Sequence, residues 1–212
     1  MDRIILRRVV GLAVAFGALS YASTIGNPVV SAAEVDMCSG CMFVLAPFSA
    51  SDSGSTLTSW EFYAFNAADS PSVIGNQITP LLFSQTGPDF TIVGVGATQT
   101  ITATGDQSYA FGLVSGSDVI GSSSYFGWFD GSLSATNTGT IAFASDGGTP
   151  SFVRDGTPVV GFTDPFAPLS RTYSVQATDS FVEPVPEPGT LGLLFGGGAL
   201  VLLGRVRRSK SR

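Results

Sequence analysis

The sequence predicts an all-β body, a β-sandwich of jelly-roll-like character, and three observations predict it. Short runs rich in aromatic and β-branched residues recur along residues 34–182. Clusters of Gly, Ser, Thr and Asp separate those runs. No segment of the body carries a long apolar pattern of helical period. About 150 residues suffice to bury a core between two sheets.

In chain order, the expected strands are 58–66, 78–83, 90–95, 97–104, 107–113, 124–128, 140–144, 159–162 and 171–178. The turns between them are marked by Gly75-Asn76, Gly87-Pro88-Asp89, Gly105-Asp106, Ser115-Gly116-Ser117, Asp130-Gly131, Asp146-Gly147-Gly148 and Asp155-Gly156. Alternation assigns faces. Trp60, Phe62 and Ala64 share one face of their strand and oppose Glu61, Tyr63 and Phe65; Tyr109, Phe111 and Leu113 share another, as do Tyr173, Val175 and Ala177. The Phe residues are expected to fill the core. Tyr125, Trp128 and Phe129 are the rings that would form a sugar-stacking platform if exposed. Thr98, Thr100, Thr102 and Thr104 fall on one face at strand spacing, either a solvent-facing row or one rank of an ice-facing surface.

Charge is segregated. Charged residues make up 12% of the chain, and the body between Glu34 and Val182 holds two basic residues, Arg154 and Arg171, among many acids. A nucleic-acid partner needs a basic folded part, so that class is set aside. Histidine is absent, which removes a Ser-His-Asp triad and the commonest transition-metal ligand. Asp89, Asp106, Asp118, Asp130, Asp146, Asp155 and Asp164 stand singly, mostly at turns. No cofactor is expected. A calcium site built from loops is open but has no assignable ligands. Cys38 and Cys41 are the only cysteines. That pair is compatible with a local disulfide, two free or differently paired thiols, a redox-active pair or a zinc half-site; an oxidising compartment favours the first.

The ends carry signals. Met1–Arg8 holds three arginines, Val9–Leu19 is an uncharged and mostly apolar run, and small residues follow. That order is a secretory signal peptide within residues 1–33, too short in its apolar part for an ordinary membrane span. Ser20-Tyr21-Ala22 and Ser31-Ala32-Ala33 both satisfy the small-x-small rule, so cleavage is expected after Ala22 or after Ala33. The residues around Arg7-Arg8 do not match a twin-arginine signal, which leaves the Sec translocon. Residues 183–188 form a Pro-rich linker. Gly189–Gly204 is an uncharged apolar segment of 16 residues, about 24 Å as a helix against a bilayer core of about 30 Å. Residues 205–212 form a basic stop, expected in the cytoplasm along with the amino-terminal arginines. Gly196-Gly197-Gly198 weakens the segment as a permanent helix.

Val185, Pro186, Glu187 and Pro188, the apolar run, and Arg205, Arg207 and Arg208 stand in one order. Together they resemble the PEP-CTERM sorting signal of Gram-negative bacteria, a module also labelled an ice-binding protein C-terminal domain. The resemblance implies processing by an exosortase near Pro186-Glu187-Pro188, a transient membrane anchor, and delivery to the cell surface or an exopolysaccharide matrix. Trp60–Phe65, Thr79–Leu82, Tyr125–Trp128 and Arg171–Thr178 resemble a β-rich domain found ahead of this signal, which implies no activity. The expectation is therefore a non-enzymatic exported protein. Its alternatives are an exopolysaccharide-binding module and a carboxylate-based glycoside-active enzyme.

Overall fold

The described strands are all β and antiparallel, arranged in three hydrogen-bonded sheets. The structure is a computed structural model that describes residues 20–65, 73–131, 139–145 and 150–182. In chain order the strands are β1 (Ser20–Tyr21), β2 (Thr24–Gly26), β3 (Glu34–Val35), β4 (Cys41–Pro47), β5 (Thr56–Ala64), β6 (Gln77–Thr86), β7 (Asp89–Gly96), β8 (Gln99–Thr100) and β9 (Gly105–Ala110). They continue with β10 (Leu113–Gly116), β11 (Ser124–Asp130), β12 (Ala142–Ala144), β13 (Pro150–Asp155), β14 (Thr163–Pro165), β15 (Ala167–Ser170), β16 (Thr172–Tyr173) and β17 (Val175–Val182). One 3₁₀ turn, Ala50–Asp52, is the only helical element among the described residues. Residues Tyr21–Phe181 make one compact unit.

The first sheet places β5 between β9 and β17, and β2 pairs with the other edge of β17. β1 belongs to the same sheet. The second sheet runs β10–β7–β6–β11–β4–β13–β15. It returns on itself: β15 pairs with β13, β14 pairs with β7, and only Phe166 separates β14 from β15. Residues 163–170 thus join both edges of a ladder that runs from β7 through β6, β11 and β4 to β13. The third sheet is small, with β12 between β3 and β16.

Both faces of the second sheet are apolar, and β4 shows why. Cys41, Phe43 and Leu45 enter one cluster, while Met42 and Val44 enter the other. A continuous apolar run is what a strand buried on both faces requires. The first cluster joins the two large sheets, bringing Trp60 and Phe62 of β5 together with Phe43, Phe126 and Trp128. Trp60 and Phe126 meet across them at 6.1 Å between ring centroids, and Trp128 stacks on Phe43 at 5.0 Å. The second cluster is built from Met42, Val44, Leu81, Phe83, Phe90, Ile92 and Phe166. Full burial of each such side chain stabilises by about 1.5–3 kcal/mol.

Several strands differ from the expected ones. Residues 97–104 do not form one strand: β8 covers two residues, Ile101 is drawn into the core, and its N–H donates to the Asn76 carbonyl. The threonine row is therefore broken, and Thr98 turns its hydroxyl to Thr79 at 2.7 Å. The segment 107–113 splits at Phe111-Gly112, where the chain leaves the first sheet for the second; Phe111 is buried, whereas Leu113 is exposed. Residues 159–162 make a turn, closed by Phe162 N–H to the Val159 carbonyl, with Gly161 at φ +86°. The inward faces of 60–64 and 173–177 are as the alternation assigns them.

Candidate functional site

Val185, Pro186, Glu187, Pro188, Arg205, Arg207 and Arg208 lie outside the described residues, as do the linker, the apolar segment and the amino-terminal Met1–Leu19. Among the described residues no helix is long and apolar enough to cross a membrane.

The cysteine loop sits at the entrance of β4. Gly40 takes φ +82°, a left-handed conformation that a glycine adopts without strain, and the chain doubles back there. Its N–H donates to the Asp130 carbonyl at 2.6 Å, which ties the loop to β11. Cys38 and Cys41 are joined as a disulfide, with Cα atoms 5.9 Å apart. Asp155 Oδ1 lies 2.9 Å from Cys41 Sγ, and these three side chains are the one grouping of Cys and acids among the described residues close enough to share an ion. Bonded sulfurs offer no thiolate, and metal binding requires one.

Beside this loop lies an open cavity of about 320 Å³, lined by Ser39, Gly40, Gln77, Thr79, Thr98, Phe129 and Gly131. Phe129 is half-buried and presents part of its ring there. Trp128 points to the opposite face of β11 and is only 1% exposed, so it cannot join a surface platform. Tyr125 is half-buried, with its hydroxyl donating to Gln85. Of the three nominated rings, Phe129 alone lines the cavity. One aromatic face among hydroxyl and amide groups is chemically suited to a ligand with both apolar and hydroxylated surfaces.

A second cluster is buried. Asp36, in the loop after β3, forms an ion pair with Arg171 and accepts the Tyr173 hydroxyl. Arg171 also donates to the Tyr173 oxygen at 3.3 Å and lies 4.5 Å over the Phe143 ring, a cation–π contact. Burial pushes the Tyr173 hydroxyl well above the ordinary tyrosine range, and the positive charge of Arg171 only partly opposes it. Next to it, Asp130 accepts from the Thr140 N–H at 2.5 Å and from its hydroxyl at 3.1 Å, and Asn76 donates to the Thr140 hydroxyl at 3.1 Å. Asp130 is therefore a buried anchor, although Asp-Gly reads as a turn. Asp36 and Asp179 carried no motif. The readable signal was Arg171, one of two cations in an acidic body and therefore in need of a partner. The other, Arg154, pairs with Asp164 at 2.7 Å on the surface, where such a pair contributes little.

No curated protein matches the chain. Residues 184–208 match the family model of the PEP-CTERM protein-sorting motif. That match takes in the Pro-Glu-Pro, the apolar run and the basic residues through Arg208. The chain carries a PEP-CTERM protein-sorting motif over residues 184–208.

Proposed function

We propose that this is an exported surface or matrix protein whose PEP-CTERM signal directs it to an exosortase, and that its β-sandwich body is non-catalytic. The match over residues 184–208 carries the reading. In it, the Sec translocon takes the chain across the inner membrane of a Gram-negative cell, Gly189–Gly204 holds it there transiently, and cleavage near Pro186-Glu187-Pro188 releases it to the surface or matrix. The state of the buried carboxylates supports a structural body: Asp36, Asp130 and Asp179 each accept hydrogen bonds from groups of the fold. Intact mass of the protein from a host with a working exosortase tests the sorting claim. Loss of the segment after the Pro-Glu-Pro is expected, and a Glu187→Ala chain should retain it. Retention of that segment in the unaltered chain would overturn the reading.

The cavity beside Phe129 favours a second reading, an exopolysaccharide-binding module. Polysaccharide pull-down with the exported protein and with Phe129→Ala tests it. Capture that falls at least tenfold in the variant supports binding at this cavity; equal capture, or none, removes it.

A further inference from the structure

The fold contains a buried carboxylate with no cationic side chain to meet it. Asp179 occupies an inward position of β17 and is 2% exposed. Its Oδ1 accepts from the Ser23 N–H at 2.8 Å and the Ser23 hydroxyl at 2.7 Å, and its Oδ2 lies 2.5 Å from the Ser55 hydroxyl, whose single proton it shares with the Asp52 carbonyl, also at 2.5 Å. All three donors are neutral. Residues 23–182 contain only two basic side chains, Arg154 and Arg171, and both are paired elsewhere, with Asp164 and Asp36. A buried charge held by neutral donors alone is costly.

Ser23 is also the residue that would follow a cut after Ala22, the first of the two sites marked by small residues. We propose that the signal peptide is removed between Ala22 and Ser23, and that the new α-ammonium group of Ser23 is the counter-charge of Asp179. The step is a hydrolysis. Water's oxygen bonds to the Ala22 carbonyl carbon, the Ala22–Ser23 C–N bond breaks, and the Ser23 nitrogen leaves as an amine that is protonated at neutral pH. The nitrogen already sits 2.8 Å from the carboxylate, so its gain of charge converts an ordinary hydrogen bond into a charge-assisted one. An open cavity of about 240 Å³ adjoins it, lined by Ala22, Ser23, Ser51, Asp52, Asp179 and Phe181. Asp52 and Asp179 are its titratable groups, and both are acidic.

The alternative cut after Ala33 would discard residues the fold uses. β2 pairs with β17 through Thr24, Ile25 and Gly26, and Ile25 packs against the main core. Gly26 lies so close to β17 that an added Cβ would stand 2.4 Å from the Val175 carbonyl oxygen. Asn27 donates its side-chain amide to the Tyr173 carbonyl at 2.9 Å, and the Val30 backbone exchanges two hydrogen bonds with the Ser174 hydroxyl. A cut after Ala22 keeps all of these and gives up only the two residues of β1 at the edge of the same sheet.

This inference rests on the export reading above, and the test separates the two. The full chain is expressed in an export-competent host, and the exported protein is sequenced from its amino terminus. Ser23 is the expected first residue. An exported protein starting at Glu34, or retaining Met1–Ala22, overturns the cleavage; a chain found only in the cytoplasm overturns export itself. The α-amine of the exported protein is then titrated by NMR after ¹³C reductive methylation. It should titrate about one unit above the ordinary range of about 7.7–8.0, because the Asp179 carboxylate at 2.8 Å stabilises its charged form. Asp179→Asn should remove most of that rise. An unshifted wild-type amine overturns the pairing, and that measurement stands whether or not the variant accumulates.

Discussion

The Tyr173 hydroxyl donates to Oδ2 of Asp36, a residue 137 positions earlier in the chain. The same carboxylate takes the Arg171 guanidinium. A single acid thus fixes the loop after β3 to the strand β16, under a lid made by Arg171 on Phe143. Removing Arg171 leaves the Asp36 carboxylate buried with the Tyr173 hydroxyl but without its counter-charge, which is worse than replacing the whole cluster.

Arg171→Met should therefore lower unfolding free energy by about 2–3 kcal/mol, the reduced end of the buried-pair range because Arg171 is partly exposed. The triple replacement Asp36→Leu, Arg171→Met, Tyr173→Phe should cost less than the single change, since no charge or hydroxyl is stranded. Urea denaturation of the three proteins checks the order.

Alkaline stability should depend on Tyr173. Its folded hydroxyl holds its proton to higher pH than the unfolded one, so the stabilisation is whole below about pH 10 and is lost as pH rises through the gap. The loss is about 1.4 kcal/mol per pH unit for one such group. Tyr109, raised by burial, adds in the same direction. Denaturation midpoints between pH 9 and 11 should fall less steeply for Tyr173→Phe than for the parent chain.

Gly127 should not accept a side chain. A Cβ there would stand 2.1 Å from the Phe43 carbonyl oxygen and 2.7 Å from the Phe83 ring, where β11 crosses against β4 and β6. Backbone cannot yield as a flexible side chain can. Gly127→Ala is expected to cost about 3 kcal/mol, at the upper end for overpacking, and to lower the melting temperature by roughly 6–12 °C. Thermal melts followed by near-ultraviolet circular dichroism check it.

The Cys38–Cys41 bridge closes a very short loop, so its removal should cost only about 2 kcal/mol by chain entropy. Non-reduced protein should give no free-thiol signal, and reduction should shift the urea midpoint modestly without abolishing the transition. A collapse of the fold on reduction would contradict this.

How much was legible follows from what each signal measures. The inward residues of β5 and β17 could be read because alternation is local and those strands are buried on one face. β4 escaped that reading because Cys41–Leu45 is apolar throughout, and a run without alternation carries no face. The Thr98–Thr104 row misled for the converse reason: its alternation is real in sequence, but Ile101 bends the chain inward. Asp36, Asp130 and Asp179 were invisible as anchors because each meets partners brought in by topology, and isolated aspartates look alike until the strands are placed. The sorting signal needed no fold at all, since its three parts are contiguous.

β17 pairs with β5 on one edge and with β2 on the other, and the sorting motif begins at residue 184, just past its last residue. A chain that emerges amino-terminus first can pair β5 with β9 early, but it must hold β2 and the other edge of β5 open until β17 has appeared; Ser23 waits 156 positions for Asp179. Such long-range closure is slow. The last described strand therefore acts as a timer: the sheet can be completed only when the segment that carries the address is about to follow.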